Sequence, residues 1–460
     1  MLQIFKNAWR TKDIRSKLIF TAIILLLYRI GTVIPVPFVD AHGFSGQLDG
    51  TILAQMNILS GGALEAATLF ALGVQPYINA SIIMQLLAVA FPRLGELSKD
   101  EQGKKLMNMI TRIVTVVLAL VTAIGYYFYL KRYGLLSAIA TKEGFSQWLC
   151  AIVIIVCYCA GASLIMWLGE RINEKGIGNG ISMILFANII SVIAPMIYKL
   201  VTYLVIPSFS SMNELVWLRA TAAILLALFT IALTLAMTVF VIWVTGSERR
   251  IPVQYAKKVV GRKMYGGQFS NLPIKLNMTG VMPVIFASSI VSLVPTILQL
   301  CNVTSTQTNF WGKLAKFLGT DGWFYPTMLF ILIIGFAYFY TQITFNPIEV
   351  ANNLKKQGGA IPGIRQGRPT ADYIRKVLNK ITLAGALFLG IIAILPIIAA
   401  PHFLSPLIDL ILDSSGYGAS VASEFIFGGT SLLIVVGVVL ETFRELEAQL
   451  TMRNYKGFLN

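Results

Sequence analysis

Ten stretches of about 20 apolar residues recur along this chain, and a helix of that length crosses the hydrocarbon core of a bilayer. They fall at Leu18–Pro37, Leu72–Phe91, Ile113–Leu130, Trp148–Leu168, Ile181–Leu200, Ala220–Val244, Thr279–Leu300, Phe324–Phe345, Ile381–Ala400 and Phe427–Glu441. Water cannot solvate so much apolar surface. Of the 460 residues, 56% are hydrophobic and 13% charged, and mean hydropathy is +0.73. A soluble domain carries about 25% charged residues. The sequence predicts an all-α polytopic membrane protein of ten spans. The N-terminal apolar run is too long for a signal peptide and leads into "IPVP", with no small-residue cleavage site, so it is read as a retained first span.

The second stretch is interrupted. In "NILSGGALEAATLFALGVQPYINASIIMQLLAVAF" the residues between Gly62 and Gly73 are helical in composition but too few to span. A half-length helix is expected there, set off by "SGG" before it and "GVQP" after it. From the residues alone it reads as a re-entrant or interfacial segment.

Loop charge orients the spans, because Lys and Arg accumulate on the cytosolic side. With a cytosolic N-terminus, that side receives roughly 29 of the 37 Lys/Arg and the outer loops about seven. An asymmetry of about four to one places both termini in the cytosol. Ten spans also divide into two fives, residues 1–206 and 207–460, with a seam near Pro207. An odd number per half inverts the second relative to the first and permits a clamshell of inverted topology, although no internal sequence similarity accompanies it. Two cytosolic loops, about 246–278 and 346–380, are far longer than a helix connection needs. Each carries seven Lys/Arg, against one and two acids respectively, and both are expected to project from the membrane.

Catalytic constellations are missing. The two histidines, His42 and His402, lack acidic or cysteine companions at ligand spacing. "EQGKKL" has neither the spacing nor the hydroxyl of a phosphate loop. The four cysteines, Cys150, Cys157, Cys159 and Cys301, make no disulfide or zinc framework and read as packing residues. "GIGNG" at Gly176–Gly180 joins two spans and reads as a tight turn. No cofactor or metal is expected. An ion-coupled carrier places an acid at mid-membrane, and no predicted span has one; Arg29 sits in the outer part of the first. A small-solute secondary transporter with inverted repeats therefore stays as the alternative, favoured only by the five-plus-five arrangement.

Five separated segments, "GGALEAATLFALGVQPYINASIIMQLL", "WLGERINEKGIGNGIS", "NMTGVMPVIFASS", "NNLKKQGGAIPGIRQG" and "FGGTSLLIVV", resemble the SecY family, the channel subunits of the general secretory translocase. The resemblance covers almost the whole chain in order. It implies a non-enzymatic, protein-conducting channel of the cytoplasmic membrane. Such a channel passes unfolded preproteins across the bilayer and releases hydrophobic segments sideways into lipid, driven by an outside motor or the ribosome.

Carried over residue by residue, the resemblance implies an apolar pore ring of Val74, Ile78, Ile181, Leu185, Ile285 and Ile434. Family rings are mostly isoleucine, and Val74 and Leu185 depart from that. The alternative for all six is lipid-facing or core packing. It also implies a plug over about Asn57 to Phe70, including Ser60, Gly61, Gly62 and Leu64, in a glycine-flanked segment able to swing aside. Gln85 and Asn277 are candidates for a lateral gate between spans two and three on one side and seven and eight on the other, or for ordinary interhelical packing. Arg249, Arg250, Arg262 and Lys263 in the first long loop and Arg365 in "PGIRQG" are candidates for docking the motor ATPase SecA or the ribosome, whose RNA is a polyanion. For the loop charges in general, the positive-inside rule is the alternative. Small SecE-type and SecG-type membrane subunits, preprotein signal sequences and membrane lipid complete the implied partners.

Overall fold

The computed structural model describes residues 2–40, 52–97, 100–137, 145–200, 216–255, 258–260, 263–265, 269–301, 303, 309–319, 322–399, 402–403, 405–406 and 429–456. The seam near Pro207, His42 and the docking candidate Arg262 lie outside the described residues.

Each predicted span coincides with a helix. In chain order the N-terminal elements are α1 (Leu2–Arg10), α2 (Lys12–Gly31), α3 (Ile52–Ser60), α4 (Gln75–Ala90), α5 (Pro92–Leu97), α6 (Glu101–Arg132), α7 (Phe145–Lys175) and α8 (Gly180–Leu200). Then come α9 (Val216–Gly246) and strands β1 (Glu248–Tyr255), β2 (Lys258–Val260), β3 (Lys263–Tyr265) and β4 (Phe269–Lys275). They are followed by α10 (Met282–Leu300), α11 (Phe310–Leu318), α12 (Phe324–Thr344), α13 (Pro347–Lys356), β5 (Gly359–Ala360), α14 (Arg368–Ala399) and α15 (Gly429–Lys456). The predicted spans correspond to α2, α4, α6, α7, α8, α9, α10, α12, α14 and α15. Several of these helices run past the apolar windows, because charged turns extend them into water without breaking the backbone ladder.

Burial is inverted on the outer surface, as a bilayer solvent requires. On α9, Leu225, Phe229, Leu235, Val239 and Trp243 point outward and exposed. The most buried span is α10, whose inward positions include Ser288, Ser289, Ser292 and Thr296. Small hydroxyl residues let membrane helices approach closely, and their side chains bond back to their own helix, as Ser288 Oγ does to the Ile285 carbonyl at 2.9 Å. One edge of α10 packs on α4 and α6, and another on α12; α15 packs on α8 and α14.

The two long loops do more than project: they pair with each other. β1 runs antiparallel to β4, from Glu248 opposite Lys275 to Gln254 opposite Phe269. Residues Gln254 and Tyr255 then pair with Ala360 and Gly359 of β5 in the second loop. Alternation along β1 turns Ile251 and Val253 inward, where Ile274, Leu354, Ile361, Ile374 and Leu378 complete a separate small core. The period of two that builds this sheet is short and interrupted by Pro252 and Pro273, so composition reads it as loop.

Candidate functional site

The six aliphatic candidates come from four helices that are distant in sequence. Ile78 lies on α4, with Val74 just before its first turn; Ile181 and Leu185 lie on α8, Ile285 on α10 and Ile434 on α15. All six meet in one hydrophobic cluster: Val74, Ile78, Leu185, Ile285 and Ile434 are fully buried, and Ile181 packs against them half-buried. None is turned outward to lipid. The same cluster takes in Ile82, Ile184 and Ile189, a further turn of α4 and α8 that the residue-by-residue reading did not include.

The short helix sits elsewhere than the sequence reading put it. It occupies Ile52–Ser60, and residues 61–74 are a chain of turns. The cause is the Gly pair, which ends a helix here where it was expected to precede one. Gly61 takes φ +71 and its N–H reaches the Ile58 carbonyl at 3.1 Å, while the Gly62 N–H reaches the Asn57 carbonyl at 2.9 Å. That pair of bonds is a Schellman termination, and glycine adopts its left-handed residue without strain. Asn57 and Ser60 secure the exit. Asn57 Oδ1 accepts from the Glu65 N–H at 3.0 Å and its Nδ2 donates to Glu65 Oε2 at 2.9 Å, while Ser60 Oγ accepts from the Leu64 N–H at 3.2 Å.

An irregular, buried backbone at membrane depth must find its hydrogen bonds within the protein. The Tyr126 hydroxyl donates to the Leu64 carbonyl at 2.7 Å and the Tyr158 hydroxyl to the Ala67 carbonyl at 3.3 Å. The Leu69 N–H reaches the Ile34 carbonyl at 2.9 Å. Phe70 stacks flat on Tyr28, centroids 5.3 Å apart and planes 8° from parallel. Neither tyrosine of this support declares its role in the sequence: Tyr158 is one aromatic residue inside a long apolar run, and Tyr126 is the first of four consecutive aromatics, Tyr126–Tyr129. The helix α3 itself is held from two sides: α8 lies along it, while Tyr325 of α12 donates to Gln55 Oε1 at 2.9 Å and Thr296 of α10 to Met56 Sδ at 3.5 Å.

Where α10 meets α4, the Tyr340 hydroxyl of α12 donates to Gln85 Oε1, and Gln85 Nε2 bonds Ser81 Oγ at 3.2 Å. Tyr340 also packs on Phe286 of α10, centroids 5.1 Å apart. Asn277, in the turn before α10, is buried with no hydrogen-bond partner on its Oδ1. Tyr340 is common to the surroundings of both candidates. It lines, with Asn277, a cavity of about 560 Å³ that has Leu389, Leu433 and Val281 in its apolar wall and Lys275 and Arg444 among its polar residues. Burial, and then the Arg444 charge, hold the Lys275 ammonium below the usual lysine range.

Arg249 and Arg250 project from β1, exposed, with Arg250 paired to Glu248 at 2.7 Å. Lys263 lies on β3. Arg365 is exposed in a turn bracketed by Gly363 and Gly367, both at positive φ, and its carbonyl accepts from Thr370 Oγ1 at 2.8 Å. Among the described residues no group of His, Cys, Asp and Glu is arranged to hold a metal.

Comparison with known proteins bears on the family and the fold. The SecY family model matches residues 68–443. The protein translocase subunit SecY of Streptomyces coelicolor is 41% identical over the full length of both chains. The chain superposes on a solved SecY channel, one whose plug domain stabilises the closed state and maintains a membrane seal, with TM-score 0.59 and 18% identity, covering 94% of this chain and 92% of that one. Sec61 from a canine ribosome–channel complex of the endoplasmic reticulum gives TM-score 0.55 at 18% identity, with the same coverage. A full-length relative at that identity, a family model over most of the chain and a shared polytopic fold lead to one conclusion: the chain belongs to the SecY family of protein translocase subunits, multi-pass channel proteins of the cytoplasmic membrane.

Proposed function

We propose that Val74, Ile78, Ile181, Leu185, Ile285 and Ile434 form the constriction through which this channel passes unfolded preproteins. The observation that carries the reading is their convergence, from four dispersed helices, on one buried cluster. A translocating backbone left unpaired in hydrocarbon costs several kcal/mol per group, so it needs water on either side and a thin barrier between. Aliphatic side chains suit that barrier. They offer no hydrogen bonds to hold the chain, mould around different residues and dewet when empty.

The segment from Ile52 to about Phe70 is the plug, and residues 1–206 and 207–460 are the two halves of the clamshell. Gln85, with Tyr340 as its partner, and Asn277 belong to the seam through which hydrophobic segments leave. A leucine gains about 0.5 kcal/mol at the bilayer centre, so ten gain roughly 5 kcal/mol, enough to sort inserted from secreted segments once the seam parts. The paired loops form the docking face for a motor ATPase or a ribosome, through Arg249, Arg250, Arg262, Lys263 and Arg365. Energy comes from that partner and not from catalysis by this chain. SecE-type and SecG-type subunits accompany it.

The test is reconstitution. Proteoliposomes holding this chain, a SecE-type partner and the motor, given ATP and a labelled preprotein, are expected to protect the preprotein from added protease. Protection that is equal with and without this chain would defeat the reading.

A further inference from the structure

Asn188, on α8, is completely buried at the end of the short helix. Its Nδ2 donates twice, to the Leu59 carbonyl at 2.7 Å and to the Tyr28 hydroxyl at 2.9 Å. Leu59 is the penultimate residue of α3, and its carbonyl is one of the last four acceptors that a helix leaves without an intrahelical partner. The orientation of the amide is dictated by chemistry. A backbone carbonyl only accepts, so the nitrogen of Asn188 must face it. Tyr28 in turn stacks on Phe70 at the far side of the irregular segment. One side chain of α8 thus holds the beginning of that segment directly and its end through Tyr28.

The fit around it is close. A Cβ built on Gly61 would lie 3.0 Å from Asn188 Oδ1, 3.1 Å from Ser191 Oγ and 2.7 Å from Arg29 Nη1. A side chain there would displace the Arg29 guanidinium and press on Asn188 and Ser191, and the φ of +71 at Gly61 disfavours one as well. The hold is divided between two groups of helices. Asn188 and Tyr28 stand on α8 and α2, whereas Gln55 and Met56 of α3 are held by Tyr325 and Thr296 on α12 and α10. Moving α10 and α12 away from α4 and α6 therefore loads the Asn188 bonds.

We propose that Asn188 is the positioning residue that latches the plug shut, and that its two hydrogen bonds are the ones given up when the channel opens. The inference rests on the plug reading above and deepens it. Two variants isolate the bonds. Asn188→Leu keeps the approximate shape and removes both donors, and Tyr28→Phe keeps the stacked ring and removes the hydroxyl. In planar bilayers, Asn188→Leu is expected to raise resting ion conductance about tenfold, near 1.4 kcal/mol of lost closure, and Tyr28→Phe about threefold, by the smaller share of interhelical bonding it removes. The double variant is expected to match Asn188→Leu, since that change already removes the bond to Tyr28. Thiol labelling of Leu64→Cys in the resting channel is expected to quicken in Asn188→Leu and not in Ile190→Ala, a substitution on the exposed face of α8.

Wild-type conductance and labelling in Asn188→Leu would overturn the latch. Deleting residues 57–70 separates the two claims. If the deletion leaks and Asn188→Leu does not, the latch fails and the plug stands. If the deletion stays sealed, both fall. Should Asn188→Leu fail to assemble, Tyr28→Phe alone decides: an unchanged resting conductance rejects the proposal.

Discussion

At the scale of single residues, the central cluster is where chemistry is simplest and most demanding. Ile285 sits 5% exposed among Val74, Ile78 and Leu185, and an amide in its place would give water a partner at the one point where the barrier depends on having none. Ile78→Asn and Ile285→Asn are each expected to raise resting conductance by about an order of magnitude, a wetting cost of the size of one unpaired amide. Sealed single-channel records from both variants would show that the constriction lies elsewhere. The i, i+4 spacing that puts Val74 with Ile78 and Ile181 with Leu185 on one helix face was legible in the sequence, and the proposal that this face lines the constriction rests on the resemblance. Asn188, Tyr126 and Tyr158 were not legible. A lone polar or aromatic residue in an apolar run has no period, and its partner is 91 residues away for Tyr158 and 129 away for the Asn188–Leu59 bond. Tyr126 opens a run of four aromatics, and nothing local says which of them meets the Leu64 carbonyl 62 residues back.

At the scale of elements, the short helix shows how far local signals reach. A glycine pair beside an apolar run marks a helix end, but composition does not say on which side the helix lies. The left-handed Gly61 and its Schellman bonds decide it, and the helix precedes the pair. The gate shows the complementary case. Gln85 was visible as a polar residue in a span, yet its partner Tyr340 is on α12, 255 residues on. An interhelical hydrogen bond of this kind contributes about 0.6–2 kcal/mol, and each leucine of a departing segment about 0.5 kcal/mol. Tyr340→Phe is therefore expected to lower the hydrophobicity threshold for membrane insertion by about one to four leucines, read from a graded series of model segments. An unmoved threshold would assign the contact to packing alone.

At the scale of the whole molecule, the helical, polytopic character followed from hydropathy: a described helix overlaps each apolar stretch, and about 14 of the roughly 29 cations assigned to the cytosolic side fall in two loops. What composition could not convey is that the loops share one sheet, with β5 of the second pairing to β1 of the first. A docking partner therefore meets a single folded face. Arg365 lies exposed on the second loop, between two left-handed glycines. Reversing its charge leaves the small core of Ile251, Val253 and Ile374 intact. Arg365→Glu is expected to spare membrane assembly of the channel and cut motor-driven export at least tenfold, in line with the several kcal/mol that a like charge opposed at an interface costs. Normal export by the variant would move the docking site off this turn.

The most direct measurement places a photo-reactive amino acid at Ile78, at Ile285 or at the lipid-facing Val121 of α6, and stalls a preprotein midway through the reconstituted channel. Passage through the aliphatic constriction predicts crosslinks to the preprotein from Ile78 and Ile285 and none from Val121. Crosslinks from Val121 alone, or from no position while export proceeds, would mean that the polypeptide takes another route.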